Sequence, residues 1–258
     1  MTGKSNLIIS KLKEFNELIE ETHQLNNDEL QVVNDVVCDL LRNSENLRAE
    51  VYASLITIVP KLVEWPVDKL LPVLDILRLL VLDEKLAVFM YGGDQSRAFA
   101  NNLVAIAQRG EPTSNILLAF RICTNSFASV EGALVVYEHR KDILDVCGGL
   151  YEKQHKNLSI AVSSLMVNFA VYCVKMNCDL DDRVLFSTFI NAFVAIPMDD
   201  EALFRLLVAF GTILHGCDHA VKYCISLETN ALVKNVHDRL EAGKAKDCAQ
   251  QICNLFLQ

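Results

Sequence analysis

The stretch Asp199–Leu214, DDEALFRLLVAFGTIL, decides the fold class. It reads as a helix over 200–214 whose surface is apolar on nearly every side. From Ala202 to Leu214 the only charge is Arg205. A helix of this kind is buried inside a larger all-helical body. A guanidinium keeps its charge, so burying one without partners is costly. Arg205 must therefore pair with a neighbour or reach a groove where it binds something acidic.

The remaining sequence carries the same helical signature. Apolar residues at helical spacing, punctuated by Gly, Pro and polar caps, mark Asn6–Glu21, Leu30–Leu41, Leu47–Val59, Pro72–Leu82, Asp83–Tyr91, Gln95–Arg109, Asn115–Phe127 and Glu131–Val146. The pattern continues through Asn157–Val174, Asp181–Ala195, Cys217–Ser226, Ala231–Glu241 and Ala245–Leu257. Pro60 is expected to stop the third helix, and Gly92-Gly93 to end the helix Asp83–Tyr91. No stretch reads as a strand. Connections are short and no low-complexity linker interrupts the chain, so one domain over 1–258 is expected.

Composition bounds the function. The chain has 258 residues, 52% of them hydrophobic, which is ample for a large core. Its net charge of −9 argues against nucleic acid, which needs a broad basic footprint. Nine cysteines, most inside apolar helical runs, read as reduced and buried thiols. The longest uncharged run, Leu158–Val174, carries Ser159, Ser163, Ser164 and Asn168 and is short for a bilayer, so no membrane partner is expected.

Candidate site residues come from polar groups stranded in apolar helices. Arg78 lies in PVLDILRLLVL, Arg121 and Asn125 in NILLAFRICTNSF, Asn168 in VSSLMVNFAVYC and Arg205 in EALFRLLVAFG. Separations of 43, 47 and 37 residues between Arg78, Arg121, Asn168 and Arg205 scatter around the period of armadillo and HEAT arrays. In such solenoids one helix per repeat lines a concave surface. A polar ladder there would face an extended peptide: arginine grips carboxylates bidentately, and asparagine matches both donors and acceptors of a peptide backbone. The competing reading is internal pairing. Asp75 stands three residues before Arg78 and Glu201 four before Arg205, both spacings that allow helical ion pairs. For Asn125 and Asn168 it is an amide bonded to a neighbouring turn. Lys153, Lys156 and Lys175 bracket the Asn168 helix as solvated ends, with Lys156 placed to steer an acidic ligand. The segment HGCDH at 215–219 lacks a second Cys/His pair at zinc spacing, and Cys173 and Cys178 are not a C-x-x-C. No metal, no cofactor and no enzyme activity is expected. Tyr91, Tyr151, Phe127, Phe169 and Phe210 read mainly as core.

Several segments together resemble a known family, the PUL domain, which is the C-terminal module of phospholipase A-two-activating proteins. They are KLKEFN (11–16), LDILRLL (74–80), LLAFRICTNSF (117–127), HKNLSIAVSSLMVNFAV (155–171), EALFRLLVAFGTIL (201–214) and CNLFL (253–257). The resemblance implies an all-α, right-handed armadillo-like superhelical solenoid, of about six repeats by the period above. It implies binding of the acidic C-terminal tail of the hexameric AAA ATPase called valosin-containing protein, in a basic concave groove, as a cytoplasmic and nuclear monomer acting in ubiquitin-dependent degradation. It places the family's two key arginines on Arg78 and Arg205, and Arg121, Asn125 and Asn168 at matching ladder positions. Family members carry a β-propeller and a ubiquitin-binding module before this domain. Neither is in this sequence, so ubiquitin is expected as a partner only through modules absent from this chain. The alternatives are a helical scaffold that binds ubiquitin or another partner through a different face, and a phospholipase activator.

Overall fold

The computed structural model describes residues 2–41, 47–92, 96–109, 112–149, 155–194, 196 and 198–257. Among these residues there are fifteen α-helices, two short 3-10 turns and no strand. The all-helical expectation holds. The residues divide into two compact units, Met1–His139 and Arg140–Gln258.

The first unit contains α1 (Thr2–Asn16), α2 (Asn27–Leu41), α3 (Ala49–Val63), α4 (Leu71–Leu80), α5 (Glu84–Tyr91), α6 (Ser96–Gln108), α7 (Thr113–Ser126) and α8 (Val130–Glu138). Its hub is α4, which packs against α1, α2 and α7. Pro72, Val73, Leu74, Ile76, Leu77, Leu79 and Leu80 of α4 are all buried. Only Leu71, Asp75 and Arg78 keep an open strip, at spacings of four and three that line one helix face. Third neighbours along the chain stack here: α1 on α4, α4 on α7, and α5 on α8.

The second unit contains α9 (Arg140–Gly149), α10 (Lys156–Lys175), α11 (Leu180–Val194), α12 (Asp200–Leu214), α13 (Asp218–Ser226), α14 (Thr229–Arg239) and α15 (Lys244–Leu255). Here α12 is the hub, packed most closely on α10 and also on α11, α13 and α15. It is capped by Asp199, whose carboxylate accepts from the Glu201 N–H at 3.1 Å. Ala202, Leu206, Leu207, Ala209, Phe210, Ile213 and Leu214 are buried. One strip of α12 stays open, however: Glu201 is exposed, and Phe204, Arg205, Val208 and Thr212 are half-buried. The helix is therefore not enclosed on every side as its composition suggested.

Three boundaries differ from expectation for local reasons. The first helix leaves its course at Asn16, because that side chain exchanges two bonds with the Leu25 backbone, Nδ2 to O at 2.9 Å and N–H to Oδ1 at 2.7 Å. Pro60 does not stop α3, which runs on to Val63. The bond it removes would end on the Ile56 carbonyl, and both residues are exposed, so the loss falls on the solvent side of the helix while buried Leu62 holds the last turn. The single helix expected over 131–146 is two, α8 and α9, separated at His139. There the imidazole Nδ1 sits 2.9 Å from the Val135 carbonyl, which also accepts the His139 N–H at 3.3 Å, so backbone and side chain of His139 together cap the end of α8.

By length and composition α10 could cross a membrane. Half of its apolar window is buried inside the protein, against α11 and α12, as in a core helix.

Candidate functional site

In the first unit the ladder residues of α4 and α7 come together. Arg78 is half-buried and its Nε donates to Asp75 on the same helix. Asn125 of α7 donates its Nδ2 to the Arg78 carbonyl at 2.7 Å. That carbonyl lies in the last turn of α4, where helical partners run out, so the amide acts as a cap across the helix pair. The competing reading of Asn125, an amide bonded to a neighbouring turn, thus describes its donor, while its Oδ1 has no partner among the described residues. Arg121 lies one turn before Asn125 on the same face of α7. It is exposed and has no hydrogen-bond or ion-pair partner among the described residues.

In the second unit α10 and α12 bring together the other set. Arg205 Nε and Nη2 both lie 2.8 Å from Glu201 Oε1, and Nη1 donates to Ser164 Oγ of α10. The arginine side chain still keeps 36% of its surface exposed. Asn168, half-buried, follows Ser164 by one turn on the same strip of α10. Lys156 opens α10 and is held by Asp199 at 2.7 Å. A hydrogen bond to Asp199 raises the lysine pKa, and the same bond lowers that of Asp199. Lys156 therefore ties the start of α10 to the cap of α12 as well as presenting charge. Lys175 is exposed at the end of α10, and Lys153 lies outside the described residues.

Other candidates are absorbed by the core. Tyr91, Phe169 and Phe210 are buried, Phe127 is half-buried, and Tyr151 lies outside the described residues. Phe169 stacks on Phe186 with ring centres 5.3 Å apart. All nine cysteines are free thiols. Burial pushes Cys123 up to about 12 and Cys224 up to about 11, so neither supplies thiolate near neutrality. Among the described residues no group of three or more His, Cys, Asp or Glu could hold a metal ion. The HGCDH segment caps α12 through the His215 N–H and opens α13.

Three participants escaped the sequence reading. Ser164 entered it only as a polar residue arguing against a membrane span, although its spacing of four from Asn168 puts both on one face. Phe204 is the half-exposed aromatic next to Arg205 in sequence. It lines a cleft of about 530 Å³ with Glu201, Arg239, Leu240 and Lys244. Arg183 is buried and donates to the Ile213 carbonyl at 2.7 Å, capping the end of α12.

Comparison with known proteins identifies the family. The PUL domain family model matches residues 2–251, across both units. The chain belongs to the PUL domain family. Phospholipase A-2-activating protein of Xenopus laevis is 27% identical to this PUL domain over 249 residues, 96% of this chain and 31% of the frog protein. The ubiquitin fusion degradation protein 3 homolog of Caenorhabditis elegans is 22% identical over 269 residues, covering 99% of the PUL domain and 30% of the worm protein. The chain spans about a third of the length of these curated relatives.

Proposed function

We propose that this PUL domain is a non-catalytic binding module of the ubiquitin pathway, folded as an armadillo-like solenoid. Its ligand is the acidic C-terminal tail of the AAA ATPase valosin-containing protein. Arg78 and Arg205 provide charge-assisted bonds to tail carboxylates. Arg121 adds a third cation, Asn125 and Asn168 bond the tail backbone, and Lys156 steers it. The module acts as a monomer in the cytoplasm and nucleus. Family membership supports a protein-interaction role, as does the name of the worm relative, which refers to ubiquitin fusion degradation.

The observation that carries the proposal is the placement of Arg205. It is the one cation of a mostly apolar helix, and its guanidinium reaches a half-exposed position beside the Ser164–Asn168 strip. An arginine needed only for stability gains little from such exposure, because surface pairs contribute at most about 1 kcal/mol.

The test is a titration of a labelled peptide, the last dozen or so residues of the ATPase, followed by fluorescence anisotropy. Arg205→Glu is expected to lose nearly all binding while its thermal transition stays close to that of the parent. Unchanged affinity overturns the assignment.

A further inference from the structure

Arginine 205 does not reach the proposed site as a free cation. A guanidinium has five N–H groups. Nε and one N–H of Nη2 face Glu201 Oε1, and one N–H of Nη1 is donated to Ser164 Oγ. One N–H on each terminal nitrogen is left over. The Ser164 hydroxyl is itself fixed, because it donates to the Ile160 carbonyl on its own helix. The partners hold the guanidinium from two different helices, α12 and α10, and leave its side chain 36% exposed.

We propose that Ser164 and Glu201 are positioning residues that preset Arg205 for a ligand carboxylate. This rests on the peptide-binding reading above and extends it to residues that never touch the ligand. A carboxylate takes the two remaining N–H groups, one from each terminal nitrogen, without displacing either internal partner. Binding then does not have to order a long, flexible side chain, a cost that otherwise reduces affinity. The two holders differ in one respect. Ser164 is neutral and orients without opposing the ligand. Glu201 orients too, but its charge cancels part of the arginine's attraction for another carboxylate. Their removal therefore has different consequences. Losing the hydroxyl weakens binding, whereas losing only the charge of Glu201 strengthens it. Asp75 has the same relation to Arg78 in the first unit, an in-helix carboxylate on the Nε edge.

The experiment is the same peptide titration with four variants. Ser164→Ala is expected to weaken binding about fivefold, the scale of one partly exposed hydrogen bond to a charged group. Ser164→Thr keeps the hydroxyl and should restore affinity to within about twofold of the parent, a rescue that a packing role for Ser164 does not predict. Glu201→Gln should bind about two- to fivefold tighter, since an acceptor remains and an exposed like charge is gone. Arg205→Ala should lose binding. Parent-like affinity of Ser164→Ala, failure of the threonine rescue, or weaker binding by Glu201→Gln overturns the positioning role while the peptide-binding reading stands. Full binding by Arg205→Ala overturns the reading itself.

Discussion

At the scale of single residues, several charges take their role from the group that fixes them. Arg183 is the clearest case. It is buried, and its Nη1 reaches the Ile213 carbonyl at 2.7 Å, at the end of α12 where unpaired carbonyls and the helix dipole both favour a cation. Truncating it leaves a buried carbonyl without a donor and a cavity beside it. Arg183→Ala is therefore expected to lower stability by about 2–4 kcal/mol in urea denaturation, well beyond the effect of Arg205→Ala, whose side chain is half-exposed. Equal losses for the two variants would remove the distinction between a structural and a ligand-facing arginine. Sequence alone singles out Arg205 and passes over Arg183. Arg205 stood out because its segment is apolar, while Arg183 follows Asp181 and Asp182 and looks like part of a solvated helix start. Burial is set by which face of α11 meets α12, and a charge at the beginning of a helix carries no mark of it.

At the scale of elements, α12 shows what could be read and what could not. Its limits, its cap and its apolar majority follow from DDEALFRLLVAFGTIL, and helix propensity with burial leaves no other structure for that string. The open strip does not follow, because Phe204 and Val208 are as apolar as the residues packed beneath them. The His139 break was equally hidden, since the capping imidazole interrupts a sequence whose periodicity continues across it. Two predictions concern how α12 is held. A Cβ added at Gly211 would meet Ile252 Cγ1 of α15 at 3.4 Å, an ordinary contact. Gly211→Ala should therefore stabilise the protein by about 0.5–1 kcal/mol through helix propensity, measured as a higher urea midpoint with unchanged slope. A lower midpoint would mean that α12 and α15 cannot separate by even a few tenths of an ångström. The second concerns Asp199, whose carboxyl the Lys156 hydrogen bond holds below its ordinary value. A depressed carboxylate contributes stability above its unfolded pKa of about 3.9 and loses it as pH falls through the lower folded value. Asp199→Asn keeps a good cap but loses the charge. It should melt below the parent at neutral pH, and the gap should close at pH values under the depressed pKa. A gap independent of pH would assign the contribution to capping alone.

At the scale of the whole chain, net charge and local site oppose each other. The chain carries −9, and the proposed ligand is an acidic peptide, so the two repel at long range while Arg78, Arg121 and Arg205 attract at short range. Screening separates these effects. The Debye length is about 30 Å at 0.01 M salt and about 8 Å at physiological ionic strength. Raising salt over that interval removes the repulsion that an approaching peptide meets first. It weakens less the pairs formed at contact, where Arg205 is partly shielded by α10 and α12. The association rate constant should therefore rise with added salt, and the dissociation rate constant should rise as well. That pattern is the reverse of a basic protein capturing an acidic partner, where salt slows association. Stopped-flow mixing of labelled tail peptide with the domain across this range separates the two cases. An association rate that falls with salt would mean that the three arginines and Lys156 create a field strong enough to override the total charge. Neutralising Lys156 should then slow association at low salt far more than it changes dissociation. If association instead speeds up, Lys156→Ala should still slow it, but by a smaller factor, because Asp199 at 2.7 Å already offsets part of that lysine's charge.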